Sequence, residues 1–342
     1  MQNFSKISKI LKNKTILITG GTGSFGSKFI QKILSINCKI IVFSRDELKQ
    51  HEQRIRYNKK NIKFIIGDVR DKKSINSAMV NVDYVFHAAA LKQVPSCEFF
   101  PDQAIKTNIN GSINVIEAAV NNNVKSIVLL STDKAVYPIN SMGMTKALME
   151  KIALSKAREN KKKTTKISIV RYGNVMMSRG SVIPLFIRQI KNKKEITITN
   201  EKMTRFLMPL DEAIELVFLA LIKNKNGSIF IHKAKSINIL ELANRLKKIF
   251  KSKCKIKKIG TRNGEKIHEV LATSEELQYA KNYQNYLEIN TQNNYLNYNN
   301  YFTIGKNLNS KKDFTSENAD KMNFEELNFL IKKEINQINE DN

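Results

Sequence analysis

The chain has 342 residues, 42% of them hydrophobic, and 58 basic against 31 acidic side chains give a net charge of +27. That length suits one large core with a smaller second domain, and the apolar content argues against a disordered chain. No apolar run reaches the ~18 residues of a membrane-spanning helix, and the start, MQNFSKISKILKNK, returns to lysine too soon for a secretory signal, so a cytoplasmic protein without membrane insertion is expected.

In chain order, six short runs rich in Ile, Val and Leu predict buried strands: TILITG (15–20), KIIVFS (39–44), KFIIGD (63–68), DYVFHAAA (83–90), SIVLLST (126–132) and KISIVRYG (166–173). Helical spacing lies between them, as at 109–121 and 142–157. Such alternation predicts an α/β protein, a Rossmann-type doubly wound parallel sheet with helices on both faces. After about residue 175 the pattern changes, with helices expected at 210–221 and 237–250 and short strands at ITIT and SIFIH. Residues 281–304 are rich in Asn and Tyr and read as an irregular arm. Phe324, Leu327, Ile331, Ile335 and Ile338 then fall on one helix face, and Asn323 with Glu326 gives that helix a capped start. The expected organisation is a nucleotide-binding domain over 1–178, a smaller α/β substrate domain over 179–280 interleaved with it, and an arm with a terminal helix over 281–342.

The basic excess comes from lysines spread through every segment, with no basic stripe interleaved with aromatics, which argues against nucleic acid and leaves a small polyanionic substrate. Cys38, Cys97 and Cys254 are odd in number, far apart and without a CxxC, which suits reduced thiols; the four histidines are equally scattered, so no metal is assigned.

TGGTGSFG (19–26) lies between a predicted strand and a predicted helix, with Gly20, Gly23 and Gly26 at the spacing that lets backbone N–H groups approach a pyrophosphate. Where a carboxylate would hold an NAD ribose after the second strand, the chain has Ser44 and Arg45, and Arg45 with Lys49 suits a 2′-phosphate; Asp46 leaves NAD as the lesser option. In STDKAVYPINSMGMTK (131–146), Asp133 and Lys134 stand side by side after an apolar run, and Met142 stands four residues before Lys146.

These blocks, together with GDVRD (67–71), HAAALKQVP (87–95), TNINGSINV (107–115), RYGNV (171–175), RGSVIPLF (179–186), MTRF (203–206) and GTRNGEK (260–266), occur in order along nearly the whole chain. Together they resemble the extended short-chain dehydrogenase/reductases that modify nucleotide sugars, and among them the UDP-N-acetylglucosamine 4,6-dehydratases of capsule and O-antigen biosynthesis. The resemblance implies that Gly20, Thr22, Gly23, Ser24, Phe25, Gly26, Asp68, Val69, Ala88, Ala89, Ala90 and Lys146 contact an NADP-type cofactor, with helix capping as the alternative for Asp68. It further implies that Lys92 and Asn174 meet the sugar or its phosphate, that Arg205, Arg262 and Glu265 meet the UDP moiety, and that the enzyme is a homo-oligomer. Thr132, Asp133 and Lys134 fall where the dehydratases place their elimination machinery. In this superfamily a tyrosine precedes the lysine by four residues; Met142 stands there, as it does in the capsule branch. His87 and Tyr172 read as packing residues at strand ends.

The chemistry so implied is a hydride loan. Oxidation at sugar C4 acidifies the C5 proton, a base removes it, an acid protonates the leaving C6 hydroxyl, and the hydride returns to C6 and a proton to C5, which is inverted if that proton returns on the opposite face. Asp133 is expected as the acid and Lys134 as the base, its pKa lowered by burial and by Lys146. A methionine cannot accept the C4 hydroxyl proton, so Lys134 or Tyr137 is expected to. The alternative on the same fold is a UDP-glucose or UDP-N-acetylglucosamine 4-epimerase, which needs no elimination pair.

Overall fold

The computed structural model describes residues 2–160, 165–178, 180–290 and 311–341. The branched, apolar runs of the first half form β1 (Thr15–Thr19), β2 (Lys39–Ser44), β3 (Ile62–Ile66), β4 (Tyr84–His87), β5 (Ser126–Leu130) and β6 (Lys166–Arg171). They pair in parallel in the order β3-β2-β1-β4-β5-β6, and Ser228–His232 joins β6 as a further parallel strand. Alternation along the strands feeds two cores. Leu17, Val85, Ile127, Leu129 and Ile169 pack with Ile75, Val115, Ile116, Met149 and Ala153 of the helices on one face. Ile16, Ile18, Phe86, Val128 and Val170 pack with Phe29, Ile30, Ile214, Val217 and Phe218 on the other. The protein is therefore α/β with a Rossmann-like doubly wound sheet, and the strand order reverses between β1 and β4.

Two antiparallel strands extend the sheet beyond Ser228–His232: Tyr286–Asn290, then Ala280–Asn282. An irregular arm was the expectation from residue 281, and over 281–290 the structure replaces it with strands. The alternation in YLEIN is the reason: Leu287 and Ile289 enter one core while Tyr286 packs on the opposite face beside Phe230. Glu288 in that strand is fully buried and is paired with Lys225 at 2.7 Å. The rest of the Asn- and Tyr-rich stretch, 291–304, lies outside the described residues.

A separate core gathers Ile183, Phe186 and Ile190 of helix Val182–Lys191, Leu242 and Leu246 of helix Ile239–Ile249, and Leu327 and Ile331 of the terminal helix Phe324–Asp341. A three-stranded sheet of Ser236–Asn238, Thr204–Met208 and Asn174–Val175 joins this body to the end of β6. The terminal helix opens with Asn323 Oδ1 accepting from Glu326 N at 2.9 Å. Among the described residues no helix is long and apolar enough to cross a membrane.

Candidate active site

A cleft of about 760 Å³ opens where β1, β2, β4, β5 and β6 end at their carboxyl termini, on the side a doubly wound sheet uses for ligands. Every residue expected to contact the cofactor lines it: Gly20, Thr22, Gly23, Ser24, Phe25, Gly26, Ser44, Arg45, Lys49, Asp68, Val69, Ala88, Ala89, Ala90 and Lys146. Gly20 has φ +66° and a Cβ there would come within 2.8 Å of the Ala89 backbone; a Cβ on Gly26 would come within 2.5 Å of Gly21 Cα. The helix Ser24–Ile33 that follows has no side-chain cap at Gly23. A tight glycine turn running into an uncapped helix N-terminus fits a dinucleotide's pyrophosphate.

At the end of β2, Thr22 Oγ1 and Ser44 Oγ share a hydrogen bond of 2.8 Å. Asp46 is committed to capping helix Glu47–Tyr57, accepting from Lys49 N and pairing with Lys49 Nζ. Arg45 Nη1 lies 3.4 Å from Asp68 Oδ2, on which Arg70 Nη2 also sits at 2.6 Å. Burial pushes the Asp68 carboxyl up, but the hydrogen bonds from Arg70 and the charge of Arg45 outweigh it and hold the group below its usual range. The following helix, Lys72–Ala78, is capped by Asp71, so capping is not what Asp68 does.

The opposite wall starts at Asn140, whose Oδ1 accepts from Gly143 N and opens helix Ser141–Glu159. Met142 and Lys146 lie about one turn apart on this helix and both line the cleft. Met142 is buried against Cys97 and Ala104. Lys146 is buried too, and its Nζ donates to Leu130 O at 2.8 Å, the single hydrogen-bond partner of that amine among the described residues. Burial pulls the amine down to about 8, against a weaker upward pull from Glu150. Glu150 is itself occupied, by Arg171 and by the Ser131 hydroxyl.

The turn Asp133–Ala135 follows β5 and places two expected catalytic residues differently. Lys134 lines the cleft, while Asp133 is fully buried behind it. Asp133 Oδ1 accepts from Thr132 Oγ1 at 2.8 Å and from Lys134 Nζ at 3.0 Å. Lys134 Nζ also meets Asn174 Oδ1 at 3.2 Å and Glu269 Oε1 at 3.3 Å. Burial alone would lower the Lys134 pKa, but the charges of Asp133 and Glu269 raise it above the ordinary lysine value. This corrects the expectation of a lysine lowered toward neutrality: the two carboxylates outweigh desolvation. Burial raises the Asp133 pKa, with Glu269 adding to the rise and Lys134 opposing it.

The remaining expected residues divide between the cleft and positions outside its lining. Lys92 and Asn174 line the cleft with Thr132. Tyr137 is 53% exposed at φ +45° and does not line it; burial and the carboxylates of Asp313, Glu276 and Glu275 raise its phenol. Arg205 is buried, its guanidinium donating to Thr204 O at 2.7 Å and lying 3.8 Å from Glu269. Arg262, exposed, and Glu265, half-buried, face each other at 3.9 Å on the 260–266 loop, which Asn140 ties down through Gly264 O at 2.8 Å. His87 spans Thr19 Oγ1 and Ser112 Oγ at 2.7 and 2.9 Å and is held neutral by burial, consistent with a packing role. Tyr172, also read as packing, stacks on Phe25 at 5.6 Å and shows part of its surface to the cleft. Sequence reasoning missed Glu269, which stands three residues past the GTRNGEK block with nothing local to mark it.

The family model described as "Polysaccharide biosynthesis protein" matches residues 16–291. The chain belongs to this family. It is an extended short-chain dehydrogenase/reductase of the nucleotide-sugar epimerase kind. It is 52% identical over 325 residues to a UDP-glucose 4-epimerase of Rickettsia bellii (strain OSU 85-389), covering 93% of this chain and 95% of that one. The crystal structure of Pen from Bacillus thuringiensis superimposes with a TM-score of 0.86 at 36% identity, over 95% of this chain and 98% of its own. DesIV from Streptomyces venezuelae, a dTDP-glucose 4,6-dehydratase solved with NAD bound, matches with a TM-score of 0.68 at 20% identity over 74% of this chain and 86% of its own, a likeness of fold.

Proposed function

We propose that this polysaccharide biosynthesis protein holds an NADP-type cofactor and a UDP-sugar in one cleft and oxidises the sugar at C4. The observation that carries the reading is Lys146, a buried amine with one carbonyl partner, facing the same cleft as the glycine turn. A nicotinamide cofactor there supplies reversible hydride acceptance; the protein has to supply a proton acceptor for the C4 hydroxyl. At about 8, Lys146 is neutral in about a tenth of molecules at pH 7. Lys134 is held as a cation and Tyr137 lies away from the cleft, so Lys146 replaces both as the acceptor. Arg45, beside an Asp68 that Arg70 already satisfies, is available for a 2′-phosphate, and Arg262 is the exposed arginine suited to a diphosphate.

Two products lead on from a 4-ketone. Return of the hydride to its other face gives the 4-epimer, which needs no group beyond those named. The name of the Rickettsia bellii relative backs this reading better than it backs dehydration. Dehydration of UDP-N-acetylglucosamine, with C5 inversion, is favoured by one observation, the Asp133–Lys134 pair at the end of β5, in which Lys134 lines the cleft and its Nζ donates to Asp133 Oδ1 at 3.0 Å, an arrangement that epimerisation does not require. Incubation with UDP-glucose and with UDP-N-acetylglucosamine tests both: an isobaric product supports epimerisation, loss of one water supports dehydration, and no change in either sugar with the cofactor bound would sink the proposal.

A further inference from the structure

Glu269 immediately precedes strand Val270–Ala272 and is 2% exposed. Its backbone N–H is taken by Ser316 Oγ at 2.9 Å, which fixes where the side chain starts. The carboxylate faces three cations from three separate segments: Lys134 at 3.3 Å, Arg205 at 3.8 Å and Lys266 at 3.8 Å. Of these, Lys134 reaches the cleft.

The coordination of Lys134 Nζ is informative. An ammonium has three N–H donors and no acceptor. Its three oxygen neighbours among the described residues are Asp133 Oδ1 at 3.0 Å, Asn174 Oδ1 at 3.2 Å and Glu269 Oε1 at 3.3 Å, one for each donor. A neutral amine in the same place would aim its lone pair at one of these oxygens. Two of the three are carboxylates buried away from water, and their charge is what a cation at this position balances.

We propose that Glu269 is a positioning residue that locks Lys134 as an ammonium at the cleft wall, where it donates to the sugar oxygen that becomes negative during C4 chemistry. Asn174, the uncharged acceptor of the three and itself part of the cleft lining, is the one such an oxygen replaces. The two carboxylates stay behind and keep the ammonium in place. A fixed donor of this kind stabilises an alkoxide or enolate oxygen without giving up its proton. The inference rests on the C4-oxidation reading and concerns the oxidation step that both of its products share. The charged and titratable groups around the pair are Asp133, Arg205, Lys266 and the Tyr172 phenol near Asp133.

The test uses Glu269→Gln, which keeps the shape and removes the charge, with Glu269→Asp as the conservative partner. The first readout needs no sugar: the pH at which Lys134 becomes reactive toward an amine-labelling reagent, read by peptide mass spectrometry on the whole protein. Loss of a counter-charge at this distance should lower that pH by about 1–3 units in the Gln variant. The Asp variant should show a smaller change in the same direction, and it carries the test if the Gln variant does not fold. The second readout is turnover of whichever UDP-sugar the unaltered protein converts. The Gln variant should lose about 10-fold or more in kcat with KM little changed, its alkaline limb should move down with the Lys134 reactivity, and the Asp variant should recover part of both. Unchanged labelling of Lys134 would overturn the role of Glu269. Faster turnover of the Gln variant at neutral pH would show that Lys134 works as a base, and would equally overturn it. Failure of the unaltered protein to convert any UDP-sugar would strike the C4 reading alone, since labelling is independent of it.

Discussion

Lys146 is kept in the fold at a cost, and removing it exposes that cost. Burial carries its amine from 10.5 to about 8, which at about 1.4 kcal/mol per pH unit penalises the folded state by about 3 kcal/mol at neutral pH. Lys146→Met retains the length of the side chain and removes the charge. It also strips Leu130 O of its donor, a loss of about 1 kcal/mol, so a net gain of about 2 kcal/mol is expected at neutral pH. The sign is open to a check. Between about 8 and 10.5 the unfolded chain holds a proton that the folded chain has released, so the unaltered protein gains stability as pH rises through that window. The Met variant lacks this rise, so its advantage should vanish within the window and give way, toward the top, to a deficit of up to about 1 kcal/mol, the hydrogen bond to Leu130 O that it cannot make. Urea unfolding followed by circular dichroism, at neutral pH and in steps up to that limit, measures both quantities. A variant no more stable than its parent at neutral pH, or a gap that stays constant with pH, would refute a neutral-leaning Lys146. The same variant should lose turnover, because a thioether accepts no hydroxyl proton.

Arg45→Ala should weaken NADP binding about 10-fold or more and leave NAD binding nearly unchanged, since the interaction lost is a charge-assisted bond to the 2′-phosphate; equal losses in a calorimetric titration would remove the argument. Tyr137→Phe should turn over UDP-sugar at the parent rate, because the residue is half exposed and outside the cleft lining; a large drop in kcat would restore Tyr137 as the C4 proton acceptor.

Much of the scaffold was legible in the sequence because it is written in local patterns. The parallel strands β1 to β6 are continuous apolar runs, as burial on both faces demands for β1, β4, β5 and β6, while β3 closes the sheet as a half-buried edge. Gly20 and Gly26 of TGGTGSFG mark backbone positions with no room for a side chain, and the spacing of the block singled out a segment that lines the cleft. The sheet edge formed by Ala280–Asn282 and Tyr286–Asn290 escaped notice because its strand pattern is short and set among asparagines and tyrosines; pairing with Ser228–His232 supplies what the local signal lacks. Adjacent Asp133 and Lys134 announced a charged pair from sequence. Only the tertiary structure decided the charge that Lys134 carries, because that depends on Glu269, 135 positions further along the chain, arriving at 3.3 Å in a place closed to water. Lys146 shows the same division: the sequence located the amine four residues beyond Met142, while the fold set its protonation by burying it against a single carbonyl and assigning the nearby Glu150 to Arg171. Strand and turn preferences act over a few residues and can be read in order. Electrostatic environment is a sum over whatever the fold brings within a few ångströms, and no stretch of chain contains it.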